Sequence, residues 1–161
     1  LSETFIRHAE PADLDFIVDA NLAMAHETEG IVLDRDRAAA GVRAALADPQ
    51  KACYRIATRA GRAVGQLMLT HEWSDWRNGD FWWIQSVYVV PGQRRTGVFR
   101  ALYEHTVAEA RRRPDVCGVR LYVAAENGAA QTTYGALGMR RAGYHVYEVD
   151  FVLGAGPVAH D

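Results

Sequence analysis

The chain has 161 residues, 49% of them hydrophobic, and a formal charge of −2, which fits one domain with a substantial core. The near-neutral charge argues against a nucleic-acid or anionic-membrane partner held by a broad basic field, and no apolar run approaches the ~20 residues of a membrane span. The opening stretch LSETFIRHAEPAD lacks the apolar core of a signal peptide, and its first residue, Leu1, reads as a trimmed or processed start; two cysteines far apart, Cys53 and Cys117, read as reduced apolar residues, so a cytoplasmic setting is expected.

Phe5 to His8 reads as a short strand. Pro11 then opens a helix through PADLDFIVDANLAMAHE, with Leu14, Ile17, Val18, Leu22 and Ala25 on helical spacing. An Ala-rich helix from about Asp34 to Ala47 closes before Asp48-Pro49. The runs CYRIAT and AVGQLMLT, joined by Arg59-Ala60-Gly61-Arg62, form a hairpin signal. EWSDWRNGD is a polar connection with its turn at Asn78-Gly79, and FWWIQSVYVV is the strongest strand. Strict alternation along it puts Trp83, Gln85 and Val87 on one face and Trp82, Ile84 and Ser86 on the other. A helix after Gly97 carries Val98, Leu102, Val107 and Ala110 on one side and ends at Arg111-Arg112-Arg113-Pro114, where cations meet the negative helix end. GVRLYVA is a further strand, NGAAQTTYGALG a short helix capped by Gly138, YHVYEVDFVL a final strand, and GAGPVAHD a loose tail. The order predicts one domain over residues 4–153, a flexible tail over 154–161, and an α/β (α+β) mixed sheet with helices on both faces.

The stretch from Pro91 to Leu102 carries the functional signal. Arg94 and Arg95 stand before a helix N-terminus, where positive charge is unfavourable for the helix alone but favourable once an anion docks. Gly97 lets main chain approach that anion. Gly92 and Gly97 have the spacing of a nucleoside-triphosphate loop, but Val98-Phe99 replace its Lys and hydroxyl residue, and the dinucleotide fingerprint fails as well. What remains is a diphosphate held by amides and arginines without an obligatory metal.

Arg94-Arg95-Thr96-Gly97-Val98-Phe99, directly after a strand, resembles the acetyl-CoA loop of the GNAT N-acetyltransferases, Q/R-x-x-G-x-G/A. The downstream ENGAAQTTYGALGM resembles the family's second motif through Asn127, Ala130, Tyr134 and Gly138. The resemblance runs from about Phe5 to Phe151. It implies a mostly antiparallel GNAT-like sheet of six to seven strands and acetyl-CoA as cosubstrate, with no metal. Main-chain groups of Val87, Tyr88 and Val89 would pair with the pantetheine arm, and amides from Arg95 to Arg100 would wrap the diphosphate. Asn127 would contact the pantetheine, small Ala130 would leave room beside it, and Tyr134 would protonate the leaving thiolate. Residues 127, 130 and 134 share one helical face, which agrees with that grouping. Phe99 departs from the family's Gly or Ala, so its ring must point away from the phosphates.

Acyl transfer needs a neutral amine, and with a pKa near 10.4 only on the order of one part in a thousand of a lysine-like amine is neutral near pH 7; its proton must be taken up or its pKa lowered. THEWSDWRNGDFWWIQSVYVV most resembles the diamine (spermidine/spermine-type) acetyltransferases, in which an acidic residue stands where this chain has Gln85. Asp75 matches another acceptor-side position of that group and Glu27 a looser one. Glu72, His26 and His71 are further groups able to take a proton, and Trp83 is the neighbour of Gln85 on an acceptor wall. The expected activity is acetyl transfer to a primary amine of a small molecule, with a homodimer through the C-terminal strands implied by the resemblance. A protein or peptide amine, a non-catalytic acyl-CoA sensor and a purely structural dimerising domain are the alternatives.

Overall fold

The structure, a computed structural model, describes residues 3–153; the expected tail over 154–161 lies outside the described residues. The chain divides into two compact units that meet at Leu121/Tyr122. The first unit holds β1 (Phe5–His8), α1 (Leu14–Glu29), α2 (Arg35–Ala47), β2 (Cys53–Arg59), β3 (Arg62–Ser74), β4 (Gly79–Val89), α3 (Val98–Arg111) and β5 (Val116–Leu121). The second holds α4 (Gly128–Ala136). Among the described residues no helix is long and apolar enough to cross a membrane.

The strands form one five-stranded sheet in the order β1-β2-β3-β4-β5, antiparallel except for the parallel β4–β5 pair. Local chemistry sets the helix ends. Asp34 accepts the Arg37 N–H at 2.7 Å and caps α2, and Gly30 closes α1 in the left-handed region at φ +67°. The hairpin between β3 and β4 is longer than its polar sequence predicts, because Glu72–Phe81 and Trp73–Asp80 pair across it before the turn.

Side-chain alternation sorts the sheet into two buried faces. Tyr54 and Ile56 of β2 cluster with Ile17 and Val18 of α1 and Val42 of α2. Gly65, Leu67 and Leu69 of β3 point the opposite way, towards α3, where Val98, Leu102, Thr106 and Ala110 are buried. Helices therefore cover both sides, as expected. Gly65 makes that packing close: a Cβ there would stand 3.0 Å from Val98 Cγ1 and 3.1 Å from the Tyr88 carbonyl oxygen. Arg55, 1% exposed, lies on the α3 side and is held by Glu109 through guanidinium–carboxylate bonds of 2.8 to 3.1 Å, with His8 Nδ1 at 3.1 Å.

Two expectations change. β5 runs Val116–Leu121 rather than through the later GVRLYVA stretch, because its ladder begins at Asp80–Val116 and ends at Ile84–Leu121. YHVYEVDFVL is not a strand, so the sheet has five strands among the described residues rather than six to seven. A strand exists only by pairing, and none of the five ladder strands takes this segment, whose Tyr147 and Phe151 are each 92% exposed.

Two stability outcomes follow from these contacts. Gly65→Ala forces α3 and β4 apart and costs about 1–3 kcal/mol, read as a lower Tm in a thermal melt. Glu109→Ala strands the Arg55 charge in the interior and costs about 3–5 kcal/mol; an unchanged urea midpoint would refute the role given to this pair.

Candidate functional site

The site starts from an irregularity in β4. The β3–β4 register steps from Leu69–Ile84 to Leu67–Val87, so Met68 alone lies opposite Gln85 and Ser86. This is a β-bulge, which bends its strand and reverses the alternation beyond it. The β4–β5 ladder ends on the near side of the bulge, at Ile84–Leu121, while the β3–β4 ladder continues to Gly65–Val89. Past the bulge, β4 thus has a ladder partner on one edge only among the described residues.

The main chain there has a defined direction. Val90 N–H donates to Val64 at 3.0 Å, so Val90 and Tyr88 face β3 while Val87 and Val89 face the other edge. Val87 and Val89 are placed as the sequence analysis expects for strand-like pairing with an extended ligand. Tyr88 is not: its main-chain groups are directed to β3, and its side chain is what approaches the α1 face, with the hydroxyl 3.4 Å from Glu27 Oε1. The bulge also corrects the face assignment. Val87 pairs with buried Leu67 and belongs with Ile84 on the α3 side, whereas Gln85 stays with Trp83 and its amide donates to Thr70 Oγ1 at 3.0 Å.

A tight helical turn, Pro91–Gln93, leads from β4 into Arg94–Gly97. Arg95 and Gly97 both take positive φ, 59° and 91°. The first intrahelical bond of α3 is Ala101 N–H to Gly97 O at 3.0 Å. The amides of Val98 and Arg100 precede it, in the first turn of the helix, where N–H groups have no carbonyl one turn back to bond. Arg95 and Arg100 are exposed beside them, whereas Val98 turns its side chain into the core. The Phe99 ring lies along α3, 6.2 Å from that of Tyr103. Arg94 behaves differently from Arg95. It donates from Nε to the Val89 carbonyl at 2.9 Å, pairs with Glu27 and lies over the Tyr88 ring.

Sequence reasoning missed Arg59, which it read only as part of a hairpin turn. Its guanidinium reaches Gln93 Oε1 and both oxygens of Thr96, in the middle of the loop. A cation closing a hairpin carries no pattern that forecasts a partner more than thirty residues on.

The face of β3, β4 and β5 that bears Gln85 also bears Trp83, Phe81, Glu72 and Arg120. Glu72 accepts from Trp83 Nε1 at 2.8 Å and from Arg120 at 2.9 Å, so each of its oxygens has a donor. The Arg120 guanidinium lies 3.6 Å from the Phe81 ring centroid. Glu72 is a brace across three strands, not an open carboxylate. Asp75 is kept away from this group. It sits in the hairpin turn, accepting the Trp76 N–H at 2.9 Å, five residues beyond Thr70 and hence about 17 Å along the strand from Gln85. His71 points to the α3 side, edge-on to Trp82, and is on the wrong face to serve Gln85. His26 is exposed in the last turn of α1.

In the second unit, Asn127 caps α4, its side-chain oxygen accepting the Ala130 N–H at 3.0 Å. Tyr134 follows two turns later on the same helical face, and burial pushes its hydroxyl above the ordinary phenol pKa. Gly138 ends the segment at φ +86°.

Comparison with known proteins agrees with this architecture. The model of the Acetyltransferase (GNAT) family matches residues 17–139. A solved structure named as a possible acetyltransferase from Clostridium difficile 630 shares 43% identity and a TM-score of 0.87, over 92% of this chain and 98% of that one. The ribosomal-protein-alanine N-acetyltransferase of Brucella melitensis biovar Abortus 2308 shares the fold at 17% identity, TM-score 0.72, over 92% and 100% of the two chains. The aminoglycoside N-acetyltransferase AAC(6')-Iy, solved in complex with CoA, does so at 16% identity, TM-score 0.73, over 94% and 97%. No functionally curated protein matches the sequence.

Proposed function

Because this chain belongs to the GNAT family of acetyltransferases, we propose that it carries an acetyl group from acetyl-CoA directly to a primary amine of a small molecule. One observation carries the cofactor half of this reading. Among the described residues the Val87 and Val89 edge of β4 has no ladder partner, and it runs into a loop that ends at the N-terminus of α3, which carries no side-chain cap there. CoA has matching parts: an extended arm with two amides, and a diphosphate. The arm suits pairing along an open strand edge, and the diphosphate suits orphan amides at the positive end of a helix.

In this reading the amides of Gly97, Val98, Phe99 and Arg100 receive the diphosphate, with Arg95 and Thr96 beside them. Arg94 is assigned to the border between cofactor and acceptor, since its charge is already shared with Glu27. The amine attacks the thioester carbonyl and the developing oxyanion takes a main-chain N–H near Val89. As the tetrahedral species collapses, the C–S bond breaks, the thiolate takes the Tyr134 proton, and the proton shed by the new amide nitrogen passes through water to restore the phenol. A phenol held above its usual pKa by burial stays protonated through neutral pH and is available as that acid. Asn127 and Ala130 are assigned to the pantetheine arm from the second unit. Cys53 and Cys117 have no part in the reaction.

The acceptor is assigned by charge and shape. Gln85 is an amide and cannot take a proton from the amine, so it orients a water or the amine itself, with Trp83 as a wall for the cation. Glu27, which pairs with Arg94 and takes no part in the sheet brace made by Glu72, is the carboxylate assigned to this border. The diamine-type subclass is the weaker form of the proposal, because Gln85 stands in its acidic position and Asp75 lies far along the hairpin. The homodimer belongs to the same reading, with the exposed apolar residues between Tyr144 and Leu153 as its surface. Gln85 also motivates a second reading, a sensor that binds acyl-CoA without turnover.

Thiol release from acetyl-CoA should rise when a panel of polyamines, aminoglycosides, amino acids and alanine-starting peptides is added. CoA binding with no release by any amine would favour the sensor, and absence of CoA binding would overturn both readings. Tyr134→Phe should lower kcat on the order of a hundredfold while leaving the Kd for CoA within about threefold. An unchanged kcat would remove Tyr134 from the chemistry.

A further inference from the structure

We propose that Arg59 is the positioning residue that sets the diphosphate loop for cofactor binding, an inference that rests on the reading of that loop as the CoA site. Arg59 is the last residue of β2 and acts on the loop through Gln93 and Thr96. Its guanidinium makes four hydrogen bonds: Nε to Thr4 Oγ1 at 2.8 Å, Nη1 to Gln93 Oε1 at 2.8 Å, Nη1 to Thr96 Oγ1 at 2.7 Å, and Nη2 to the Thr96 carbonyl at 2.9 Å. The Thr96 hydroxyl then donates to the Gln93 carbonyl at 2.7 Å. One planar fork thus ties the segment before β1, the tight turn and the residue before the helix cap.

The Thr96 carbonyl is the decisive contact. In a planar trans peptide the carbonyl of one residue and the N–H of the next point in opposite directions. Holding Thr96 C=O on Arg59 therefore turns the Gly97 N–H away from Arg59, to the exposed side of the loop, next to the orphan amides of α3. Without that bond the Thr96–Gly97 peptide is free to flip, and a carbonyl oxygen would then face the phosphates. Positive φ at Arg95 makes the constraint more necessary, since a non-glycine residue holds that conformation only when its surroundings over-determine it.

Charge adds to the geometry. All four acceptors of Arg59 are neutral: two hydroxyls, a side-chain amide and a main-chain carbonyl. Its positive charge stays uncompensated by a bonded carboxylate, in contrast to Arg94 on Glu27 and Arg55 on Glu109. It stands half-buried behind the loop, where screening is weaker than at the surface. A single-point ammonium cannot reproduce three simultaneous directions of donation, so charge and fork are separable by substitution.

The test is a titration of the full chain with CoA and with pantetheine, which lacks the diphosphate, for the wild type, Arg59→Gln and Arg59→Lys, with a thermal melt of each. The expected result is a Kd for CoA raised about tenfold or more in Arg59→Gln and raised in part in Arg59→Lys, with pantetheine binding unchanged. Equal loss for both ligands would make Arg59 a general structural residue and overturn the proposal. Full retention by Arg59→Lys would reduce its role to charge and overturn the peptide-orienting claim. If Arg59→Gln does not fold, Arg59→Lys decides by the same comparison. Failure of the wild type itself to bind CoA would refute the function of the loop, whereas wild-type binding with undisturbed variants would refute this inference alone.

Discussion

The bulge at Gln85–Ser86 is the constraint on which the rest of the structure depends. A regular β4 would keep one alternation throughout, and Val87 would share a face with Trp83 and Gln85. One extra residue opposite Met68 reverses the pattern. Val87 then joins the core side with Leu67 and Ile84, Tyr88 turns to α1, and β4 runs on beyond the last β4–β5 pair. The bulge hence fills the interior at the point where, among the described residues, the β4–β5 ladder ends. Gly65, across from Val89, lets Val98 and Leu102 of α3 settle close beneath that stretch of β4.

Arginines in this protein do four separate jobs, and their partners distinguish them. Arg55 is buried and neutralised by Glu109, so it joins β2 to α3 at the price of dependence on one carboxylate. Arg94 shares its charge with Glu27 and its Nε with a strand carbonyl, linking α1 to the end of β4. Arg59 bonds only neutral groups and shapes a loop. Arg120, stacked on Phe81 and paired with Glu72, adds a fourth arrangement in which an aromatic ring takes part of the cation's environment.

Most elements were legible from period and punctuation: Pro11 and Gly30 bracket α1, Asp34 opens α2, and Arg111-Arg112-Arg113-Pro114 closes α3. The loop proposed to hold the cofactor was legible because its chemistry is local, a run of main-chain donors marked by Gly97 within one turn of a helix. The face proposed for the acceptor was not. Glu72 looked like an open carboxylate because nothing in the sequence shows that Trp83 and Arg120 converge on it from two other strands. His71 looked able to take a proton from the acceptor, yet strand alternation sends it to the face opposite Gln85. YHVYEVDFVL has the composition of a strand and is not one among the described residues, since composition favours extension but a strand exists only where it pairs.

Sequence by itself determined what depends on neighbours along the chain: helix ends, hairpins, the mixed α/β class, and a glycine-marked loop at a helix start followed by a second motif at Asn127 and Tyr134. Tertiary structure alone decided what depends on register and on distant partners: the bulge, the reversal at Val87 and Tyr88, the commitment of Glu72 and Arg94, and the clamp of Arg59 on Thr96. The physical reason is the range of the forces involved. Backbone propensity and capping act over a few residues, whereas ladder register and a bidentate guanidinium act across space between segments whose separation along the chain carries no pattern.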